Sequence, residues 1–103
     1  MMLIAGTTQG VFTLDDHGPS QVLEAADVRD LQMIDGRVFA GSASGLFVSD
    51  DGGRSWRGPQ LEGYEVWQIR AATNGSIYVG TQPAGLFRSD DGGHRWTEIE
   101  SFS

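Results

Sequence analysis

The sequence predicts an all-β protein made of a short array of repeated strand units. Residues 45–56 (GLFVSDDGGRSW) return forty positions later as residues 85–96 (GLFRSDDGGHRW), with nine of twelve positions identical. A self-match at a period of about 35–50 residues is typical of repeat architectures. Fifteen glycines, together with short runs of β-branched and aromatic residues, favour strands joined by tight turns. No segment has apolar residues at helical spacing over a length that would indicate a helix.

A third, divergent copy of the segment lies near the start of the chain. Residues 10–21 (GVFTLDDHGPSQ) keep the glycine, the phenylalanine, the paired aspartates and one turn glycine. We therefore predict three units within one repeat domain of 103 residues, with boundaries near 1–26, 27–63 and 64–103.

Two-residue turns locate the first hairpin of the second and third units. The predicted strands are 28–34 and 37–41 around Asp35-Gly36, and 66–72 and 76–80 around Asn74-Gly75. Asp-Gly and Asn-Gly favour the hairpin turn whose two central residues both have positive φ. These turns occur at equivalent places, so both units are predicted to open with the same hairpin.

The next two strands flank the Asp-Asp-Gly-Gly turn. A glycine-bounded loop at 6–10, 41–45 or 80–85 leads into a third strand, and a fourth strand leaves the turn through Trp56 or Trp96. Counting from Met2 gives eleven strands, with three in the first unit and four in each of the others. The first unit is therefore expected to lack its opening strand.

Composition and charge argue against several classes of function. Fourteen acidic residues face seven arginines and no lysine, which gives a net charge of −7. Such a chain repels phosphate groups, so we expect neither a nucleic acid nor an anionic membrane as partner. The absence of cysteine excludes disulfides and thiolate metal sites. The first ten residues do not resemble a signal peptide, and no apolar run reaches about 20 residues, so we expect a cytoplasmic protein.

Two of the three turns match a known sequence motif. Residues Ser49, Asp51, Gly53, Ser55 and Trp56 have the spacing of the Asp-box, also called the BNR repeat (S-x-D-x-G-x-T/S-W). The second match consists of Ser89, Asp91, Gly93 and Trp96, with Arg95 at the hydroxyl position. The first unit keeps only Asp16 and Gly18. The chain therefore resembles β-propellers built of Asp-box blades, a group that includes sialidases, sortilin-type receptors, xyloglucanases and photosystem-assembly factors.

This resemblance implies blades of four antiparallel strands, with about 2.75 blades in this chain. Because a partial propeller cannot close on its own, we expect closure by oligomerisation or by the remainder of a longer chain. A homodimer forming a six-bladed ring is the working hypothesis. The resemblance also makes the Asp-box residues structural. Their short polar side chains would bond the backbone of the turn, the glycines would adopt left-handed geometry, and the tryptophans would cover the hairpin.

The Asp-rich turns do not indicate a calcium site. A calcium loop needs about six oxygen ligands, with a bidentate Glu near its end, whereas Trp56 and Trp96 stand at that place. His17 and His94 fall in the same turns and have no partner for a catalytic triad. We therefore expect no metal and no cofactor.

The resemblance places candidate ligand sites on the face formed by the loops between second and third strands and by the crossovers between units. The crossover 58–66 is the richest in aromatic and carboxylate side chains. The candidate ligand-binding residues are Tyr64, Glu65, Trp67, Arg70, Asp27 and Arg29. Such a set suits a sugar or a peptide. In the structural alternative, Trp67 and Ile69 pack between blades while Gln68 and Arg70 face the other side or the rim of the channel.

No catalytic constellation stands out, so we expect a non-enzymatic scaffold or binding module for protein or carbohydrate. The alternative is a part or subunit of a glycoside hydrolase-like propeller, of the sialidase or xyloglucanase type. Glycoside hydrolysis requires two carboxylates about 5–10 Å apart, for which Asp27 and Glu65 are the candidates. Arg29, Arg37 and Arg70 are reminiscent of the sialidase arginines, but the N-terminal Arg-Ile-Pro segment of that family is absent. A third possibility is a building block that binds no ligand.

Overall fold

A computed structural model describes residues 3–101, which form eleven β-strands and no helix. The first sheet contains β1 (Leu3–Thr7), β2 (Gly10–Asp15) and β3 (Gly18–Glu24). The second contains β4 (Asp30–Ile34), β5 (Arg37–Ser42), β6 (Gly45–Ser49) and β7 (Arg57–Gln60). The third contains β8 (Glu65–Ala71), β9 (Ile77–Gln82), β10 (Gly85–Ser89) and β11 (Thr97–Ser101). The predicted all-β class is confirmed. Met2, where the sequence prediction begins its first strand, lies outside the described residues.

Each sheet is an antiparallel meander in which neighbours in the chain are neighbours in the sheet. The hairpin between β4 and β5 has the predicted two-residue turn, because Asp35 and Gly36 have φ values of 51° and 79° and Ile34 pairs with Arg37. The hairpin between β8 and β9 is wider. There Ala71 pairs with Ile77, and only Gly75 has positive φ. The residue inserted before Asn74 accounts for this difference.

The opening strand of the second unit starts later than predicted. The prediction begins it at Val28, whereas β4 begins at Asp30. The amide of Val28 donates to the carbonyl of Thr7 in the first sheet at 2.9 Å. Because this backbone group bonds to the preceding unit, Val28 belongs to the crossover between the first and second sheets.

The three sheets share two hydrophobic clusters, and the second sheet contributes to both. One cluster joins the first and second sheets and contains the buried residues Val11, Ala25, Ala40 and Phe47. The other joins the second and third sheets and contains the buried residues Phe39, Leu46, Val48, Val66, Ile69, Ile77, Val79 and Phe87. Consequently, all five residues of β6 are buried, and so are five of the six in β5.

A valine and a glycine interlock at each contact between sheets. A Cβ atom added at Gly6 would lie 2.6 Å from Cγ1 of Val28, and one added at Gly41 would lie 2.7 Å from Cγ1 of Val66. These distances are too short for a real side chain, so each glycine creates a slot that the valine of the next unit fills. The sequence repeat is therefore also a repeat of the packing between units.

Candidate functional site

The two turns that match the Asp-box pattern, at residues 49–56 and 89–96, form the same hydrogen-bonded structure. In the second sheet, the Ser49 hydroxyl donates to Oδ1 of Asp51 at 2.7 Å and accepts from the amide of Gly53 at 2.8 Å. Oδ1 of Asp51 also accepts from the amides of Arg54 and Ser55. In the third sheet, Ser89 and Asp91 bond to the amides of Gly93, His94 and Arg95 in the same way. The polar groups of both motifs are thus used inside their own turns.

The two boxes differ at the hydroxyl position of the motif. The Ser55 hydroxyl donates to Oδ2 of Asp51, and this bond is the leading cause that holds the pKa of Asp51 well below its usual range. In the other box Arg95 has no hydroxyl. Its backbone amide is the leading cause of a lowered Asp91 pKa, followed by the hydroxyl of Ser89. Both carboxylates are therefore stabilised in the ionised form by their own turns.

Each box glycine packs against the sheet that precedes it. A Cβ atom added at Gly53 would lie 2.9 Å from Cδ1 of Ile4, and one added at Gly93 would lie 2.6 Å from Cε2 of Phe39. Gly53 and Gly93 have φ values of 99° and 91°. The box turn therefore serves the contact between units as well as its own hairpin.

The motif tryptophans are half-buried, so they cover the hairpins only in part. Nε1 of Trp56 donates to the carbonyl of Gly53 in its own turn at 3.0 Å. Nε1 of Trp96 instead donates to Oε1 of Gln60 in the second sheet at 3.1 Å. The second tryptophan thus links two sheets through a polar contact that the motif alone does not indicate.

Three of the candidate ligand-binding residues come together where β4 and β8 begin. Nη2 of Arg29 lies 2.9 Å from Oε1 of Glu65, and its guanidinium carbon lies 4.1 Å from the centre of the Trp67 ring. Such stacking is favourable because the face of the indole ring is electron-rich. The Trp67 side chain nevertheless remains 49% exposed. Together, Arg29, Glu65 and Trp67 form what we call the Arg29 cluster, a rigid, partly exposed aromatic surface.

A β-bulge explains why Trp67 faces solvent. Val66 pairs with Thr81 and Gln68 pairs with Gly80, so Trp67 is the extra residue on β8. A bulge shifts the alternation of side chains along its strand. As a result Val66 and Ile69 are buried, and Trp67 does not pack between sheets as the structural alternative expected.

The other candidates have different surroundings. Nη1 of Arg70 lies 3.0 Å from Oδ2 of Asp30, which also accepts from the amide of Ile69. The Tyr64 ring packs edge-on to Phe87 with centroids 5.0 Å apart, against the core of the second and third sheets. Asp27 is exposed, has φ of 51° and donates its amide to Thr8. Hence Arg70 and Tyr64 have structural contacts of their own, and Asp27 is part of the first crossover.

The sequence interpretation missed a cavity between the first and second sheets. Its volume is about 520 Å³, and it is largely open to solvent, since most of the residues that line it are exposed. The lining residues are Thr8, Gln9, Gln21, Glu24, Ala25, Ala26 and Ser44. The crossover 24–28 belongs to the face predicted for ligands, but Asp27 was the candidate named there, and Asp27 is not among the residues that line the cavity.

Each arginine of the sialidase comparison has its own acidic partner. Arg29 pairs with Glu65, Arg37 with Asp50, and Arg70 with Asp30. Arg57 also binds Asp50, and together with Arg37 it lowers the pKa of that carboxyl. Among residues 3–101 no three His, Asp or Glu side chains are grouped to hold a metal ion. The three arginines thus sit in three separate ion pairs.

No protein-family model matches the chain, and no curated protein matches its sequence. Over the described range, no helix has the length and apolar character needed to cross a membrane. The functional argument therefore depends on the geometry of the sheets and their surfaces.

Proposed function

We propose that this chain is a non-enzymatic module of the Asp-box β-propeller type, which serves as a scaffold or binding unit and packs against further sheets of the same kind. The supporting observation is the repeated valine-in-glycine contact between sheets. Two glycine slots are filled inside the chain, and the third sheet carries an equivalent slot at Gly80. An added Cβ atom at Gly80 would meet nothing within 4 Å.

By strand register, Gly80 has the same position in the third sheet as Gly41 has in the second. Phe39 and Gly41 pair with Val48 and Leu46, whereas Tyr78 and Gly80 pair with Arg88 and Leu86. The side chains of Phe39, Leu46 and Val48 meet the third sheet in the shared core. The corresponding residues Tyr78, Leu86 and Arg88 are half-buried, on the face of the third sheet that is turned away from the second. This outer face would accept a fourth sheet as the second sheet accepts the third.

The first sheet carries the complementary surface. Its Ala5 and Phe12 correspond in register to Ala40 and Phe47, which the second sheet packs against the first. On the same side Leu3 and Leu14 are 53% and 46% exposed. Contiguous apolar surface of this kind marks a site of association. Because the two outer faces are complementary, contact between copies would be head-to-tail and would close a ring if the rotation fits.

The first sheet also has an open edge. Within the described range β1 pairs only with β2, whereas the corresponding β5 and β9 each pair on both sides. An unpaired strand edge readily accepts another strand. A second copy, or the remainder of a longer chain, would complete this sheet.

The experiment is light scattering on a sizing column, combined with one pair of variants. We expect the 11.1 kDa chain to elute as a discrete multiple, with the dimer as first expectation. Gly80→Glu places a charge in the open slot and should shift the mass toward the monomer. Thr73→Glu adds the same charge in an exposed turn and should leave the mass unchanged. If both variants keep the wild-type mass, stacking through this face is wrong. A wild-type monomer at every concentration would contradict self-association and leave a longer chain as the source of the next sheet.

The binding role is assigned to the Arg29 cluster, whose exposed tryptophan face suits a sugar ring or a peptide side chain. Trp67→Ala should abolish binding to a glycan or peptide array while keeping the fold, since Trp67 lies outside both hydrophobic clusters. Glu65 is paired with Arg29 in this cluster. Turnover of chromogenic glycosides that disappears in Glu65→Gln would overturn the non-enzymatic proposal. A cytoplasmic location stays a prediction.

A further inference from the structure

The cavity between the first and second sheets lies beside the first crossover. Ser20 pairs with Thr13 as Arg57 pairs with Val48, so eight residues lead to Val28 in the first crossover and nine lead to the equivalent Val66 in the second. In the second crossover Leu61 and Tyr64 fold back onto the core of the second and third sheets. In the first crossover the small side chain of Ala25 is buried in the core of the first and second sheets and also lines the cavity of about 520 Å³.

Several hydrogen-bond acceptors line this cavity. Nε2 of Gln21 donates to the carbonyl of Gln9 at 2.9 Å, which leaves Oε1 of the same amide as an acceptor. Neither the Glu24 carboxylate nor the Ser44 hydroxyl has a side-chain hydrogen bond or ion pair with any residue in the range 3–101. The carbonyl of Thr8 already accepts from Asp27.

The charge of the site favours a cation. Glu24 is the only charged residue among those lining the cavity, and the whole chain has a net charge of −7. A negative field attracts cationic ligands and repels anions. A planar guanidinium carries five N–H donors and no acceptor, so it matches a carboxylate flanked by amide and hydroxyl oxygens.

We propose that this cavity binds a guanidinium or ammonium group, with the Glu24 carboxylate as the charged partner and the side-chain oxygens of Gln21 and Ser44 as further acceptors. The volume lies within the usual range of about 300–1,000 Å³ for small-ligand sites, so there is room for an arginine side chain or a small basic molecule, which would stay partly exposed to solvent. The cavity would be a second binding site of the proposed module, separate from the Arg29 cluster, because the two share no residue. It is independent of ring closure, because both walls of the cavity belong to one chain.

The test is an NMR titration of the full chain with agmatine, with a blocked Gly-Arg-Gly peptide and with the same peptide containing citrulline. Citrulline keeps the shape of arginine and removes its charge. We expect the two cationic probes to shift the amide signals of Thr8, Ala25 and Ala26 and the citrulline peptide to leave them in place. Tighter binding of agmatine would identify a small-molecule source, and tighter binding of the peptide would identify a protein side chain.

Two matched variants test the role of Glu24. Glu24→Gln should weaken binding of the cationic probes about fivefold, near the upper limit for an exposed ion pair. Glu62→Gln removes the same charge from an exposed position in the second crossover and should leave the affinity unchanged. Ala26→Phe should block the cavity, and its melting temperature would show whether the sheets remain folded.

Three results would overturn the proposal. Equal binding of the arginine and citrulline peptides would mean that charge is not recognised. Equal weakening by Glu24→Gln and Glu62→Gln would mean that only the overall field attracts the probes. Shifts that leave the cavity amides unaffected would place the binding elsewhere. None of these outcomes changes the result expected from the mass measurements with Gly80→Glu. The cation-binding proposal can therefore be wrong while the stacking proposal holds, and the reverse.

Discussion

Replacing Gly41 with alanine should destabilise the contact between the second and third sheets. The added Cβ atom would lie 2.7 Å from Cγ1 and 3.0 Å from the carbonyl oxygen of Val66. Valine has a stiff χ1, and the carbonyl oxygen belongs to the backbone, so the sheets themselves must separate. Overpacking of this kind costs about 1–3 kcal/mol. Replacing a glycine also lowers the conformational entropy of the unfolded chain, which raises the free energy of unfolding by about 0.4–1 kcal/mol. We therefore expect a net loss of about 1–2 kcal/mol.

The matched control is Gly80→Ala, whose new Cβ atom meets nothing within 4 Å and whose backbone does not have positive φ. This variant should keep or raise the stability of the monomer by up to about 1 kcal/mol. Urea denaturation followed by tryptophan fluorescence measures both values, with the mass checked at the same concentration. Equal free energies of unfolding for the two variants would refute the slot argument. Gly6→Ala, which meets Val28 at 2.6 Å, should behave like Gly41→Ala.

Three further predictions concern the Asp-box turns. Stability should fall as the pH drops below about 4. The pKa values of Asp51 and Asp91 are lowered in the folded state, so these carboxylates stabilise the fold above the ordinary value of 3.8, and this stability is lost as they protonate. Acid titration followed by circular dichroism measures the loss. Arg95→Ser should raise the melting temperature by restoring the hydroxyl bond seen in the other box. Trp96→Phe should cost more than about 0.5–1.5 kcal/mol in urea denaturation, because it removes both the hydrogen bond to Gln60 and part of the indole surface packed against the core.

The repeat made most of the strand order predictable. Three copies of one segment, two of them with two-residue turns at matching places, were enough to predict eleven strands grouped as three, four and four. The roles of Gly41 and Gly6 were not predictable in the same way. Gly6 was assigned to a loop and Gly41 to the end of a strand and the start of a loop, because their importance comes from Val28 and Val66, which approach them from the next unit.

The candidate site was predictable only in part. Aromatic and charged residues in and just after the second crossover identified Glu65 and Trp67, and the corresponding strand of the second unit identified Arg29; the structure brings these three together. Their mutual geometry depends on the bulge at Trp67, and a single residue inserted into a strand leaves no clear mark in the hydrophobic pattern. The cavity near Glu24 was missed because most of its lining side chains are small or polar and belong to no motif.

The glycine at position 80 links the sequence to the proposed stacking. Gly41 is required by the internal packing of the chain, since Val66 occupies the space that a side chain would need. Gly80 is under no such constraint within residues 3–101, and a side chain there would reduce the entropy of the unfolded chain and so favour folding. A glycine at this place costs stability in an isolated chain. It becomes necessary when a further sheet inserts a side chain as Val28 and Val66 do, and this supports an outer face that is covered in the assembled protein.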